Sequence, residues 1–334
     1  MAATFTTRPR WKHWDSSTPA WGGALGPTAQ RRRFMSAEER DDNPPVCDYE
    51  GSDYQERFWE QGGRAYEDGA EAVALRRLLP SGGRLLLEVG AGAGRNTPRY
   101  TGYERIVLMD YSSTQLAQAQ ARLGQSEKYI YVAADVYRLP FVDGLFDGAT
   151  MIRVLHHMAE PEKALAQVRS ALQPGAVFIL EYANKLNLKA ILRYLLRKQT
   201  WSPFSEEPVE FMALNFDFHP RAVRRYLRNA GFSVGRILTV SHFRIGILKR
   251  LVPTRLLVWL DSLASLTGPL WQFSPSVFVR AEAVGSTAKA ATGAFFKCPA
   301  CGTALPEAKG GVLACGNGHR WGVKDGIYNF KEML

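Results

Sequence analysis

The chain has little cysteine, no long apolar run and no internal repeat, and each shortage removes a class of protein. Four cysteines in 334 residues are too few for a disulfide framework. The most apolar stretch, residues 256–271, is broken by Asp261, Gly268 and Pro269 and is too short to span a bilayer. Where a secretory signal would need an apolar core, the N-terminal residues hold Arg8, Arg10, Lys12 and Asp15. A cytoplasmic, reducing compartment is therefore expected. Acid is the scarcer charge, with 32 Asp and Glu against 42 Lys and Arg, a net +10. The excess is concentrated in residues 185–282, where 15 cations face 6 acids. Such a field permits an RNA or an acidic membrane surface as partner, without requiring either.

A hydrophobic fraction of 46% with 22% charge is that of a globular protein. Residues 1–46 read as a flexible tail: Thr, Ser, Pro and Gly mix with the run Arg31-Arg32-Arg33, and three tryptophans (Trp11, Trp14, Trp21) have no evident role. From 54 to 79 the spacing predicts a helix. Strands are then expected at 84–89, 103–110, 129–133, 146–154 and 176–182, with helices at 113–123 and 162–172 between them. A helix at 220–230 and strands at 232–240 and 276–283 follow. Continuous apolar strands alternating with amphipathic helices imply an α/β domain over 47–284, a parallel sheet covered on both faces. Two insertions, 184–219 and 241–273, interrupt the alternation. Residues 285–294 read as a linker and 295–334 as a separate cysteine-containing module.

The most informative stretch is residues 85–96. An apolar strand runs into Glu88 and then into Gly90, Gly92 and Gly94, which alternate before a helix. Glycine allows a sharp turn and close approach to a ligand at the carboxyl edge of a parallel sheet. The next strand ends in Asp110-Tyr111, where a carboxylate can accept from both ribose hydroxyls of an adenosine. The third ends in Asp135-Val136, an acid and an amide suited to an adenine edge. The fourth is followed by Arg153-Val154-Leu155-His156-His157. A nicotinamide-binding domain would carry Gly-x-Gly-x-x-Gly, and a carboxylate at Glu88 would repel its pyrophosphate.

This ordered set resembles the class I S-adenosylmethionine-dependent methyltransferases over about residues 54–283. The likeness implies a doubly wound, mostly parallel seven-stranded Rossmann-like sheet, with the insertions as a helical lid. It implies that Glu88, Gly90, Gly92 and Gly94 hold the methionine part of S-adenosylmethionine, Asp110 and Tyr111 the ribose, and Asp135 and Val136 the adenine. Arg153 and Leu155 would line the donor, and the helix from Tyr54 to Tyr66 would cover its methionine end. His156 and His157 stand where a general base for the acceptor could lie. Glu181 and His219 read as structural, the latter as a helix start. No Asn-Pro-Pro-Tyr sequence follows the fourth strand, which disfavours methylation of exocyclic base amines.

The lid is the best clue to the acceptor. Residues 186–198 alternate leucines with Lys189, Arg193, Arg197 and Lys198, a basic amphipathic helix. Its apolar side is expected to pack inward over a small or lipid-like acceptor; contact with an anionic membrane is the alternative. Cys298, Cys301, Cys315 and His319 have the number and softness for a closed zinc site. With residues 319–330 this end resembles the small zinc domain of the Trm-112 type, and that of bacterial rRNA guanine methyltransferases, where it precedes the catalytic domain. Three readings follow: a small-molecule methyltransferase, an rRNA or tRNA base methyltransferase, or a donor-binding scaffold without turnover. Cys47 is left as a plain thiol.

Overall fold

The computed structural model describes residues 44–52 and 55–334, except the side chains of residues 55 and 56. The tail and its three tryptophans lie outside the described residues, apart from residues 44–46. Of these, Pro44 is buried and Val46 lines a cleft, so the packed chain begins just before the expected boundary.

After a π-helical turn at Gln55–Glu60 come α1 (Ala65–Leu78), β1 (Gly83–Val89), β2 (Tyr103–Asp110), α2 (Ser113–Leu123) and β3 (Tyr129–Ala133). Then follow β4 (Phe146–Met151), α3 (Pro161–Ala171), β5 (Leu172–Ala183), α4 (Leu188–Leu195), β6 (Val209–Met212) and β7 (Asn215–Asp217). The chain continues through α5 (Pro220–Asn229), β8 (Phe232–Val240), α6 (Gly246–Leu251), α7 (Thr254–Ala264) and β9 (Ser276–Ala283). It ends in β10 (Val312–Ala314), β11 (Arg320–Lys324) and β12 (Ile327–Met333).

Several boundaries differ from expectation, and β5 starts at Leu172 rather than at 176. The helix expected over 54–79 is two elements, because Gly63 turns the chain at φ +61° between them. The strand expected to reach residue 154 ends at Met151, and Arg153 turns out of the sheet at φ +60°.

The sheet order is β10-β11-β12-β3-β2-β1-β4-β5-β9-β8. Leu85, Leu86 and Leu87 of β1 are buried because the strand lies mid-sheet, with α1 and α2 on one face and α3 and α5 on the other. β2 and β4 flank β1 and both run parallel to it, so the strand order reverses there. That switch point leaves a crevice at the carboxyl edge, and the glycine loop leaves β1 straight into it.

The seven expected strands form the middle and one side of this sheet. Three more come from the C-terminal module, which does not stand apart. β12 pairs in parallel with β3, Ile327 opposite Tyr131. Phe296 stacks on Phe141 at 5.8 Å and meets Phe330 at 5.0 Å. The module thus covers what would otherwise be an open sheet edge.

The lid also departs from expectation. The apolar residues of α4 do not pack inward: of its eight residues only Ala190 is buried. Only Leu257 and Asp261 of α7 are buried. Among the described residues no helix is long and apolar enough to cross a membrane.

Candidate functional site

The crevice beyond β1 opens into a cleft of about 1030 Å³ that includes open solvent. Glu88, Gly90, Gly92, Asp110, Tyr111, Val136, Arg153 and His157 all line it. Gly94, Asp135 and His156 do not. Gly94 packs where a Cβ would come within 2.9 Å of Leu123 Cδ1. Leu155 is fully buried in the core rather than in the cleft wall, which corrects the expectation for that residue.

The glycine loop works by conformation as much as by size. Gly90 has φ +67°, and a Cβ there would lie 2.1 Å from Val154 Cγ2. At Gly92 (φ +53°) a Cβ would meet nothing closer than Gln115 Oε1 at 3.9 Å, so that position faces open space.

Glu88 is buried and accepts from the Thr97 hydroxyl at 2.6 Å. Burial pushes its carboxyl up to about 7 against the hydrogen bonds of Thr97 and Tyr100. Asp110 ends β2 and accepts from the amides of Gly92 at 2.8 Å and Ser112 at 2.9 Å, one on each oxygen. Its carboxyl is also raised by burial. Asp135 accepts from the Tyr137 amide at 2.9 Å and starts a short helical turn. A carboxylate oxygen has more than one lone pair, so these contacts leave acceptor capacity at all three acids.

A cover from the segment around Trp59 was expected, but not the ion-pair cluster that holds it. The Trp59 ring packs against two guanidiniums, Arg95 at 3.5 Å and Arg153 at 4.8 Å from its centre. Both arginines bond to the buried Glu71 of α1: Arg95 Nη2 at 2.7 Å and Arg153 Nε at 2.6 Å. Burial alone would raise the Glu71 carboxyl, yet Arg153 and Arg95 hold it down at about 2. Val46, Cys47 and Tyr49 close another side of the cleft, so Cys47 is a cleft residue rather than an incidental thiol.

The two histidines differ. His157 has both ring nitrogens engaged, Nε2 with the Tyr49 hydroxyl at 3.2 Å and Nδ1 with the Leu214 carbonyl at 3.1 Å. His156 Nδ1 is buried with no partner among the described residues, and burial holds this imidazole well below its ordinary value. Behind it, Glu181 accepts from the Arg153 amide at 2.9 Å and from Ser276. His219 caps α5 by accepting from the Arg221 amide at 3.2 Å. Arg244, from the second insertion and close enough to help lower the His156 imidazole, has buried Nε and Nη2 with no hydrogen-bond partner among the described residues. Burial and the neighbouring Arg153 lower it to about 10. Burial raises Asp217 to about 6 in the same surroundings.

Away from the cleft, one ligand atom each of Cys298, Cys301, Cys315 and His319 lie within 4.8 Å of one another. Cys301 and Cys315 sulfurs are 3.7 Å apart, and His319 Nδ1 is 3.4 Å from Cys315 and 3.6 Å from Cys298. A tetrahedral ion with metal–sulfur bonds of about 2.3 Å requires sulfur–sulfur edges of about 3.8 Å, so the four side chains fit zinc.

Residues 87–180 match the methyltransferase domain family. An O-methyltransferase of Penicillium expansum is 32% identical over 135 residues, 37% of this chain and 48% of that protein. A ubiquinone/menaquinone biosynthesis C-methyltransferase of Roseobacter denitrificans is 27% identical over 180 residues, 49% of this chain and 72% of that protein. The chain thus spans about half the length of the first of these relatives. A chain from the Haloferax volcanii complex of the Trm112 methyltransferase activator with a candidate methyltransferase aligns with TM-score 0.50 and 15% identity. That alignment covers 70% of this chain and 96% of the other, a likeness of fold. The segment 87–180, which supplies the glycine loop and the ends of β2, β3 and β4, is thus similar to the methyltransferase domain family, and it lies in a Rossmann-like sheet.

Proposed function

We propose that the chain binds S-adenosylmethionine in this cleft and transfers its methyl group to a small or lipid-like acceptor reached beneath the lid. The observation that carries this is the placing of Glu88, the open face at Gly92 and Asp110 around one cleft, with the family match over the same residues. Glu88, as carboxylate, suits an ammonium group; Asp110 suits vicinal ribose hydroxyls; Asp135 and the Val136 amide suit an adenine edge. The Trp59 roof, held by Arg95 and Arg153, excludes water from the methionine end.

When bound, the donor supplies an electrophilic methyl on a sulfonium, so the residues' main task is to aim an acceptor atom in line with it. The new bond from the acceptor atom to carbon forms as the sulfur–carbon bond breaks. An acceptor that enters as O–H or C–H must lose a proton, and a base is then needed. His157 lines the cleft but is committed through both nitrogens; His156, which burial keeps neutral near pH 7, lies outside the cleft lining and serves as base only for an acceptor that reaches past that wall. Arg244 and Asp217 face the same interior from the lid side and suit a polar head on an otherwise apolar acceptor.

Cys298, Cys301, Cys315 and His319 would hold zinc with all four positions filled by protein, a structural role rather than a catalytic one. All four cysteines are unpaired, which suits a reducing, cytoplasmic setting. The test is calorimetric titration of the full chain with S-adenosylmethionine. Micromolar binding by the wild type and its loss in Gly92→Arg are expected; no wild-type binding, or equal binding by the variant, overturns the reading. Labelled donor incubated with cell extract, sorted into lipid, RNA, protein and small-molecule fractions, then identifies the acceptor class.

A further inference from the structure

The two lid insertions present apolar side chains to solvent on the outer faces of their helices. On α4, Leu188, Leu192 and Leu195 follow one another at spacings of four and three, which puts them on one face. On α7, Leu256, Trp259 and Leu263 do the same. All six are exposed, Leu195 at 66%, Trp259 at 57% and Leu188 at 55%. Soluble monomers rarely leave such faces open, and contiguous ones mark a docking surface. The inward face of α7 is already in use: buried Asp261 accepts from the Tyr66 hydroxyl at 3.0 Å and the His242 amide at 2.8 Å. The outer face of α7 is therefore not a core left half built, while α4 buries only Ala190.

We infer that the lid rests on an anionic lipid bilayer, with these two faces at the acyl boundary. Charge selects the occupant. No Asp or Glu lies between residues 186 and 205, whereas Lys189, Arg197 and Lys198 are exposed on or just beyond α4. Arg250 and Arg255 are exposed at the start of the second face. A second copy of the chain would bring like charge against like charge. RNA would engage the cations and leave the leucines in water. An anionic membrane satisfies both groups at once, leucines and the indole in the interface and cations at the headgroups. With no described helix able to cross, the contact is interfacial. The inference rests on the lid reading above and deepens it: an acceptor dissolved in the bilayer would enter the cleft from the membrane side.

The test is flotation of the full chain with phosphatidylcholine vesicles, with and without phosphatidylserine, at low and high salt. Retention on the phosphatidylserine vesicles that weakens with salt is expected. Leu192→Glu with Leu195→Glu, and separately Arg197→Glu with Lys198→Glu, are expected to lower partitioning about tenfold or more. Affinity for S-adenosylmethionine, measured by calorimetry on the same samples, should be unchanged, which shows that both variants fold. Wild type that floats with neither vesicle, or variants retained as well as wild type, overturns the inference. So does a dimer in sedimentation equilibrium that the leucine variant splits. RNA binding that needs the cations and ignores the leucines, with no vesicle retention, also overturns it. Vesicle retention without donor binding would leave the docking standing and remove the donor site, so the two readings fail separately.

Discussion

Glu71 accepts from Arg153 Nε at 2.6 Å across 82 residues of sequence, tying α1 to the turn after β4. The same carboxylate holds Arg95, and the two guanidiniums pack against Trp59. Breaking one side of a buried ion pair leaves uncompensated charge, at a cost of roughly 3 kcal/mol or more. Glu71→Gln should therefore lower stability in urea unfolding by about that amount. It should also weaken S-adenosylmethionine binding in calorimetry, because the roof loses its anchor. An unchanged affinity would separate the roof from the donor site.

Donor binding should depend on pH through Glu88. Its carboxyl sits at about 7 in the free protein, above the ordinary 4.5, so the folded chain holds a proton there that the unfolded chain has released. This group's contribution to stability is present below about pH 4.5. It is lost as pH rises towards 7, by up to roughly 3 kcal/mol. An ammonium ligand favours the ionised form, so affinity should rise from about pH 6 to about pH 8 and then level off. Binding near pH 7 should release a proton, visible as a buffer-dependent calorimetric heat. Glu88→Gln should remove the pH dependence together with much of the affinity; a pH dependence that survives in it would point to another group.

The cysteine site should carry metal. One zinc per chain is expected by elemental analysis of protein purified without chelator, and less in Cys315→Ser. Chelation should lower the melting temperature by several degrees, since a short module draws much of its folding energy from its metal. It should also weaken donor binding: β12 carries Lys331, whose ammonium lies 4.9 Å from the centre of the cleft residue Tyr111 and 3.5 Å from Glu50. Metal loss that leaves both stability and donor affinity intact would contradict the structural role.

Arg244 offers a contrast between stability and use. Its buried Nε and Nη2 have no hydrogen-bond partner among the described residues, a desolvation cost that an apolar chain of similar volume would relieve, set against the loss of a charge that favours the ionised forms of Asp217 and Glu181. Arg244→Met is expected to hold or raise the urea midpoint, leave donor affinity alone, and lower turnover once the acceptor is known. A clear loss of stability would show that Arg244 has a structural partner in solution.

The local elements were written in the chain itself. β2, β3 and α2 fall where the apolar runs and their flanking residues put them, because burial on both faces and a Ser112 cap are local properties. The glycine loop was legible for the same reason: only a chain without Cβ takes φ +67° at Gly90 against Val154. The clustering of Cys298, Cys301, Cys315 and His319 was legible from their spacing. What required the tertiary structure was everything set by contacts distant in sequence. Glu71 is an ordinary helix acid until β4 and the glycine loop bring two arginines to it. The C-terminal module read as separate because a strand does not announce which edge it joins, and β3 supplied that edge. The lid shows the limit best. An amphipathic sequence dictates that a helix has an apolar face, but whether that face finds protein or stays open depends on the space left by the rest of the fold, and here it stays open.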